Sequence, residues 1–391
     1  MKRTVPKSSK FYYYLLAILL FGLLMVYNAS PLYSYRLFGT PYYFARLQLI
    51  WILVGLLVFF VVSSLNLQVI KWLARGMFVA AVLALIFLAA ASLFYPCSKV
   101  NEPSADLAFC PCKNGARRWI NLNPPPLPQI PLLGTLGFQA SDLVKLAVVI
   151  YLPLLLEAKL KMAKHKYEAF FFFFGYCALV SLLILIQPNM SNAGLIMMIG
   201  IVIYFVSGAE LKPLAVLLPV GLVAAGLFVL ISPYRRERFL TLVSPDEQSA
   251  LNESYQSTQI LIGLGSGGPF GVGVGQSKQK QHYLPEVIGD SIFAIIGEEM
   301  GFVGSLAVVI GFALLTLEMV KISVGAVTHY EKMAGLGVCA WIFLQYMINL
   351  YATINIIPFT GMPIPFISYG GSSMIFAAAG VGLVAAIYKR Q

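Results

Sequence analysis

Residues 46–95 read RLQLIWILVGLLVFFVVSSLNLQVIKWLARGMFVAAVLALIFLAAASLFY. Two apolar runs, 46–65 and 73–95, are separated by a short break, with Lys71 and Arg75 beside it. Each run is close to the roughly 20 residues a helix needs to cross a hydrocarbon core of about 30 Å. In lipid every backbone amide must be satisfied within the segment, so such runs are helices rather than open strands.

Working outward, similar runs fall near 11–28, 141–157, 169–186, 193–208, 214–231, 291–320, 333–356 and 366–388. The expected fold is therefore all-α: one polytopic membrane domain over 1–391, with about ten transmembrane helices. Composition agrees, since 59% of the 391 residues are hydrophobic and 11% charged, with a mean hydropathy of +0.82. Such a chain cannot cover itself with polar surface.

The net charge of +11 is not a nucleic-acid footprint, because no long basic run or zinc-finger spacing is present. The basic residues sit between apolar runs and orient them. The first run follows Lys2, Arg3, Lys7 and Lys10, but no A-x-A-like cleavage site follows, so it reads as a retained span. Lys and Arg crowd both termini and the short connections on their side, including Lys159, Lys161, Lys212, Lys321 and Lys332. The short connections opposite are nearly free of them. This places both termini in the cytoplasm.

Two long loops, 96–140 and 232–290, then face the exterior. The first is interrupted by Pro124, Pro125, Pro126, Pro128 and Pro131 and cannot be one regular helix. It also holds Cys97, Cys110 and Cys112. In an oxidising space Cys97 can pair with either of the other two. A metal site has no nearby fourth ligand. Cys177 and Cys339 lie in apolar runs and read as small packing residues. No internal repeat is visible, which disfavours the repeat-built transporters.

The second loop carries Arg235, Arg236 and Arg238, seven glycines between Gly263 and Gly275, then Lys278, Lys280, Glu286 and Asp290. Gly263, Gly265 and Gly268 match G-x-G-x-x-G, but outside a strand-turn-helix unit that pattern binds no dinucleotide. P-loop, G-x-S-x-G and H-E-x-x-H patterns are absent.

GSGGPFGVGVGQSKQKQHYLPE (266–286), IPFTGMPIPFISYGGSS (357–373), GARRWINL (115–122) and MVYNAS (25–30) stand in an order that resembles the SEDS family (shape, elongation, division, sporulation; FtsW, RodA and SpoVE). The Gly275–Lys280 run is closer to the division branch than to the elongation branch. Departures exist. Ile288-Gly289-Asp290 stands where the family usually has His-Thr-Asp, Gln187-Pro188-Asn189 where Gln-Pro-Asp is usual, and Ala140-Ser141-Asp142 where Pro-Ser-Glu is usual.

The resemblance implies a peptidoglycan glycosyltransferase that polymerises lipid II during septal wall synthesis at the outer face of the cytoplasmic (inner) membrane. It implies a class B penicillin-binding protein transpeptidase and other divisome proteins as partners. Asp290 is the expected base, since glycan extension needs a carboxylate to deprotonate an attacking hydroxyl. The bland reading of Asp290 is a helix cap. Anionic charge on the pyrophosphate leaving group calls for Arg117, Arg118, Lys278 and Lys280, with Arg235, Arg236 and Arg238 in reserve. Those three arginines serve equally as an anchor for the seventh span. A divalent cation, Mg or Mn, bridging Asp290 and the pyrophosphate is the one cofactor this chemistry allows.

Trp119, Asp142, Lys145, Ser277, Gln279 and Glu286 complete the expected substrate set, with Trp119 equally readable as an interfacial belt residue. Asp142 and Lys145, three apart, share a helix face and either pair structurally or line a cavity. Glu298 and Glu299 read as intramembrane acids that hold helices together or line a cavity for the lipid. Two rival functions remain open: a lipid II flippase, and a non-catalytic scaffold for the transpeptidase.

Overall fold

The computed structural model describes residues 10–97, 107–113, 115–130, 133–162, 167–231, 252–281 and 284–391. The described residues are mostly helical. Helix α1 (Lys10–Ala29) is followed by a short α2 (Pro31–Phe38), then α3 (Tyr43–Ser64) and α4 (Leu67–Phe94). After the first long loop come α5 (Ala140–Met162), α6 (Glu168–Ile186), α7 (Met190–Val206) and α8 (Lys212–Ile231). After the second come α9 (Asn252–Gly267), α10 (Ile292–Val324), α11 (His329–Thr353) and α12 (Gly371–Tyr388).

Helices occupy all ten expected apolar segments, and seven of them are long and apolar enough to cross a membrane. The other three are α5, which carries Asp142 and Lys145, the 17-residue α7, and α8. The fold is a multi-pass membrane bundle; ten crossings remain an expectation.

Helix α12 is the most enclosed of the seven, and packs along α3 and against α5. Helix α11 packs against α10, α7 and α5. Lipid-facing apolar side chains run down α10 from Phe302 through Leu306, Ile310 and Leu314 to Leu317, all exposed. In lipid such exposure is the stable arrangement, since the hydrocarbon is the solvent.

Three details depart from the sequence reading. The second long loop is not irregular throughout, because 252–267 folds as α9 against α10. The last span begins at Gly371 rather than 366, so 357–370 is a non-helical segment. Helix α10 is interrupted at Gly301 (φ 65°, ψ −164°), a left-handed conformation that suits glycine.

The interruption is filled by the glycine-rich stretch. Val272 N donates to Glu298 O (2.9 Å) and Gly273 N to Glu299 O (3.1 Å), while Phe302 N and Val303 N donate to Gly268 O and Pro269 O. A Cβ on Gly271 would lie 2.1 Å from Glu299 O. The glycines thus do more than turn the chain. They let a second strand of backbone satisfy the amides and carbonyls that the break exposes, as buried non-helical backbone in a membrane protein must.

Within the described part of the first long loop, β1 (Trp119–Asn121) pairs antiparallel with β2 (Gly137–Gln139), Ile120 opposite Phe138. Cys97 and Cys112 are disulfide-bonded and Cys110 is a buried thiol, which decides between the two pairings left open above.

Candidate functional site

Asp290 stands two residues before α10 and is half-buried. Its position is fixed through its main chain. Asn349 Nδ2, on α11, donates to Asp290 O (2.8 Å) and to Met362 O (2.6 Å). Tyr369 N donates to Ile288 O (2.8 Å). The acid-bearing turn is therefore laced to the 357–370 segment. Gly361 (φ +61°) lies so close that a Cβ there would be 3.4 Å from Asp290 Oδ2. The missing side chain leaves that flank of the carboxylate open.

A buried polar chain runs from this point into the bundle. Gln345 Nε2 donates to Pro363 O (2.9 Å), while Gln345 Oε1 accepts from Lys145 Nζ (2.9 Å) and Trp341 Nε1 (2.9 Å). Lys145 pairs with Asp142 at 2.7 Å, both buried, and Ser372 Oγ donates to Asp142 Oδ2 (2.8 Å). Asp142 and Lys145 thus form the structural ion pair, satisfied on both sides as buried charge requires. They connect to Asp290 through Gln345 and the 362–363 carbonyls, not by facing it.

Asn349 and Gln345 were not singled out in the sequence. The available signal was two amides inside an apolar 333–356 run, where a polar side chain must find a partner. Asn349→Ala removes the bridge between Asp290 O and Met362 O and leaves the turn tied to the 357–370 segment through Tyr369 N alone among these bonds. The expected outcome is a fall in turnover of up to roughly 10²-fold, with substrate affinity little changed, read from initial rates across substrate concentration.

The signature 275–280 has a job of its own. Glu298, 2% exposed, accepts from Ser277 Oγ, Lys278 N (2.9 Å) and Gln279 N (3.3 Å). Lys280 Nζ pairs with Glu299 Oε1 (2.8 Å) and donates to Asn28 Oδ1 (3.0 Å), while Asn28 Nδ2 donates to Glu299 Oε2. Ser277, Gln279 and Lys280 are therefore held by two carboxylates of α10, which bind the loop rather than lining a lipid cavity. Lys278 remains exposed. Glu286 is exposed with φ 48°, and its charge adds to burial in raising the Tyr33 hydroxyl pKa.

The first-loop residues divide. Arg117 is 1% exposed, its Nε donating to Tyr95 O (2.9 Å) and Nη1 to Cys110 O (2.5 Å). It ties the loop to the end of α4 and offers little surface to a ligand. Arg118 is half-buried and reaches the α6–α7 turn, with Nη2 to Pro188 O at 2.5 Å. Ser191 Oγ in turn donates to Thr360 O (3.3 Å), so Arg118 belongs to the wall that also holds Gly361 and Asp290. Trp119 lies under Lys113, whose Nζ is 5.0 Å from its ring centroid. Arg235, Arg236 and Arg238 lie outside the described residues.

Burial pushes the Cys110 thiol pKa up, and Arg117 only partly offsets it. Mass spectrometry without reductant is expected to find the Cys97–Cys112 peptide, and maleimide at neutral pH to leave Cys110 unmodified until the chain is unfolded.

The profile of the FtsW/RodA/SpoVE cell cycle proteins matches residues 9–391. This chain belongs to that family. The probable peptidoglycan glycosyltransferase FtsW of Coxiella burnetii is 32% identical over 372 residues, covering 94% of this chain and 92% of that protein. Stage V sporulation protein E of Bacillus subtilis is 31% identical over 369 residues, covering 94% and 93%. Among solved structures, Thermus thermophilus rod shape determining protein RodA superposes with a TM-score of 0.65 at 23% identity, covering 99% and 98%. A chain of a peptidoglycan synthase complex that coordinates polymerization and crosslinking gives 0.73 at 22%, covering 98% of each. These structures share the SEDS-type membrane fold expected from the motifs.

Proposed function

We propose that this chain is a peptidoglycan glycosyltransferase that polymerises lipid II at the outer face of the cytoplasmic membrane during septal wall synthesis. Asp290 is the general base. Support comes from the family, from relatives named peptidoglycan glycosyltransferases, and above all from one observation. A carboxylate is clamped by its own main chain at the head of α10, its flank left open by Gly361.

In the proposed step Asp290 accepts the proton of an acceptor sugar hydroxyl as that oxygen attacks the donor's anomeric carbon. The bond from that carbon to the pyrophosphate oxygen breaks, and its electron pair leaves with the pyrophosphate. Inversion needs only this one base on the attacking side. Lys278, exposed, and Arg118, on the adjoining wall, are the cations suited to the leaving group.

Among the described residues no three of His, Cys, Asp and Glu gather as metal donors. Asp290 is the residue that would hold a Mg or Mn ion. That ion would supply charge neutralisation on the leaving group. The partner in this reading is a transpeptidase of the class B penicillin-binding type, within the division machinery, and the termini lie in the cytoplasm.

The test is direct. Purified full-length protein is given labelled lipid II in detergent, with and without the transpeptidase, and products are resolved by length. Glycan ladders support the proposal. Their absence in both conditions, with label crossing the bilayer of reconstituted vesicles, would replace it with a flippase.

A further inference from the structure

A groove of about 460 Å³ lies between α1 and α3, lined by Leu23, Leu24, Tyr27, Tyr42, Arg46 and Leu49. It is almost wholly apolar apart from Arg46. Arg46 sits in the first turn of α3, and among the described residues no carboxylate lies within ion-pair distance of its guanidinium. A cation on a lipid-facing helix needs a counter-charge or an interface to reach. The amide end of a helix adds to the positive potential rather than relieving it. Stacked Tyr27 and Tyr42 rings, with centroids 6.0 Å apart, form a stiff aromatic wall beside it. Aromatic side chains of this kind favour the headgroup level.

We infer that this groove binds one anionic diacyl phospholipid, its phosphodiester on Arg46 and an acyl chain along Leu23, Leu24 and Leu49. Two features favour this class. A single cation matches the single charge of a phosphodiester better than the multiple charge of a pyrophosphate. From Tyr42 to Leu49 the α3 wall rises only about 10 Å at 1.5 Å per residue, enough for part of an acyl chain and short for a long polyprenyl tail. The α3 wall of the groove is linked by contacts to the Asp290 turn. Phe44, between its α3 residues, packs on Tyr369 at 5.1 Å, and Tyr369 N holds Ile288 O. A lipid bound there would brace α3 against the segment that carries the proposed base, yet its binding does not depend on the reaction assigned above.

Native mass spectrometry of the detergent-solubilised full chain tests this, using phosphatidylglycerol and phosphatidylcholine of identical acyl chains. Phosphatidylglycerol is expected to be retained preferentially, and Arg46→Gln to weaken its retention about fivefold. Arg46→Lys is expected to keep most of it. Leu24→Trp, which fills the groove and keeps the cation, should also lose the lipid. Unfolding midpoints taken without added lipid show that the variants are folded. Equal retention of both lipids, or wild-type retention by Arg46→Gln, would overturn the inference. So would displacement of phosphatidylglycerol by an equimolar polyprenyl phosphate, which would give the groove to the carrier lipid.

Discussion

Asp290→Asn is expected to abolish glycan ladders while the protein extracts, folds and binds lipid II as before. The substitution keeps the size of the side chain but replaces a carboxylate oxygen with an amide NH2, which donates and cannot take the proton. A positioned base contributes about 10²–10⁴-fold, so residual polymer should fall below detection in an ordinary end-point gel. Main-chain bonds to Asn349 and the close approach of Gly361 do not depend on the side-chain charge, which is why the fold should survive. Wild-type ladders from Asp290→Asn would remove this residue from the mechanism, whatever else the fold supports. Asp290→Glu extends the carboxylate by one methylene toward Gly361 and should recover little, because the open flank is narrow.

The second large effect is on stability. Lys280→Met leaves Glu299, whose side chain is fully buried, without its cation. Breaking one side of a buried pair costs about 3–5 kcal/mol, because the remaining charge has lost its compensation. Thermal unfolding in detergent should show a clearly lowered midpoint for Lys280→Met. Adding Glu299→Gln should restore much of it, since the neutral amide no longer needs a cation and can still accept from Asn28. If the single variant unfolds like the wild type, the pair does not hold the loop, and a direct substrate role for Lys280 gains ground. Activity then discriminates: a loop anchor affects stability first, a phosphate contact affects turnover at unchanged stability.

Much of the bundle was legible in the sequence because lipid imposes a length on every crossing. Runs such as 46–65 and 73–95 became α3 and α4 to within a few residues at most boundaries. The motifs around Asp290 were legible because they stand in the order of the family whose profile spans the chain. Helix α9 was not, because a stretch containing NESYQSTQ and scattered glycines lacks the apolar run that marked the others; packing against α10 makes it a helix. The glycine-rich run could be seen, but not its partner. That partner is the backbone of Glu298 to Val303, and a pairing of two main chains leaves no side-chain pattern to read. Arg117 shows the same limit. An arginine in GARRWINL looks like a phosphate ligand until its carbonyl acceptors at Tyr95 and Cys110 are known.

The interruption at Gly301 makes α10 two rods with separate duties. At about 1.5 Å per residue the lower rod, 302–324, is about 34 Å long, sufficient alone to traverse a hydrocarbon layer of about 30 Å. The upper rod, 292–300, is then a pedestal whose height and rotation set where Asp290 points. One residue added or removed between 292 and 300 would swing the carboxylate by about 100° around the axis, without disturbing the lower rod at all. Phase, more than proximity in the chain, is what this pedestal has to conserve.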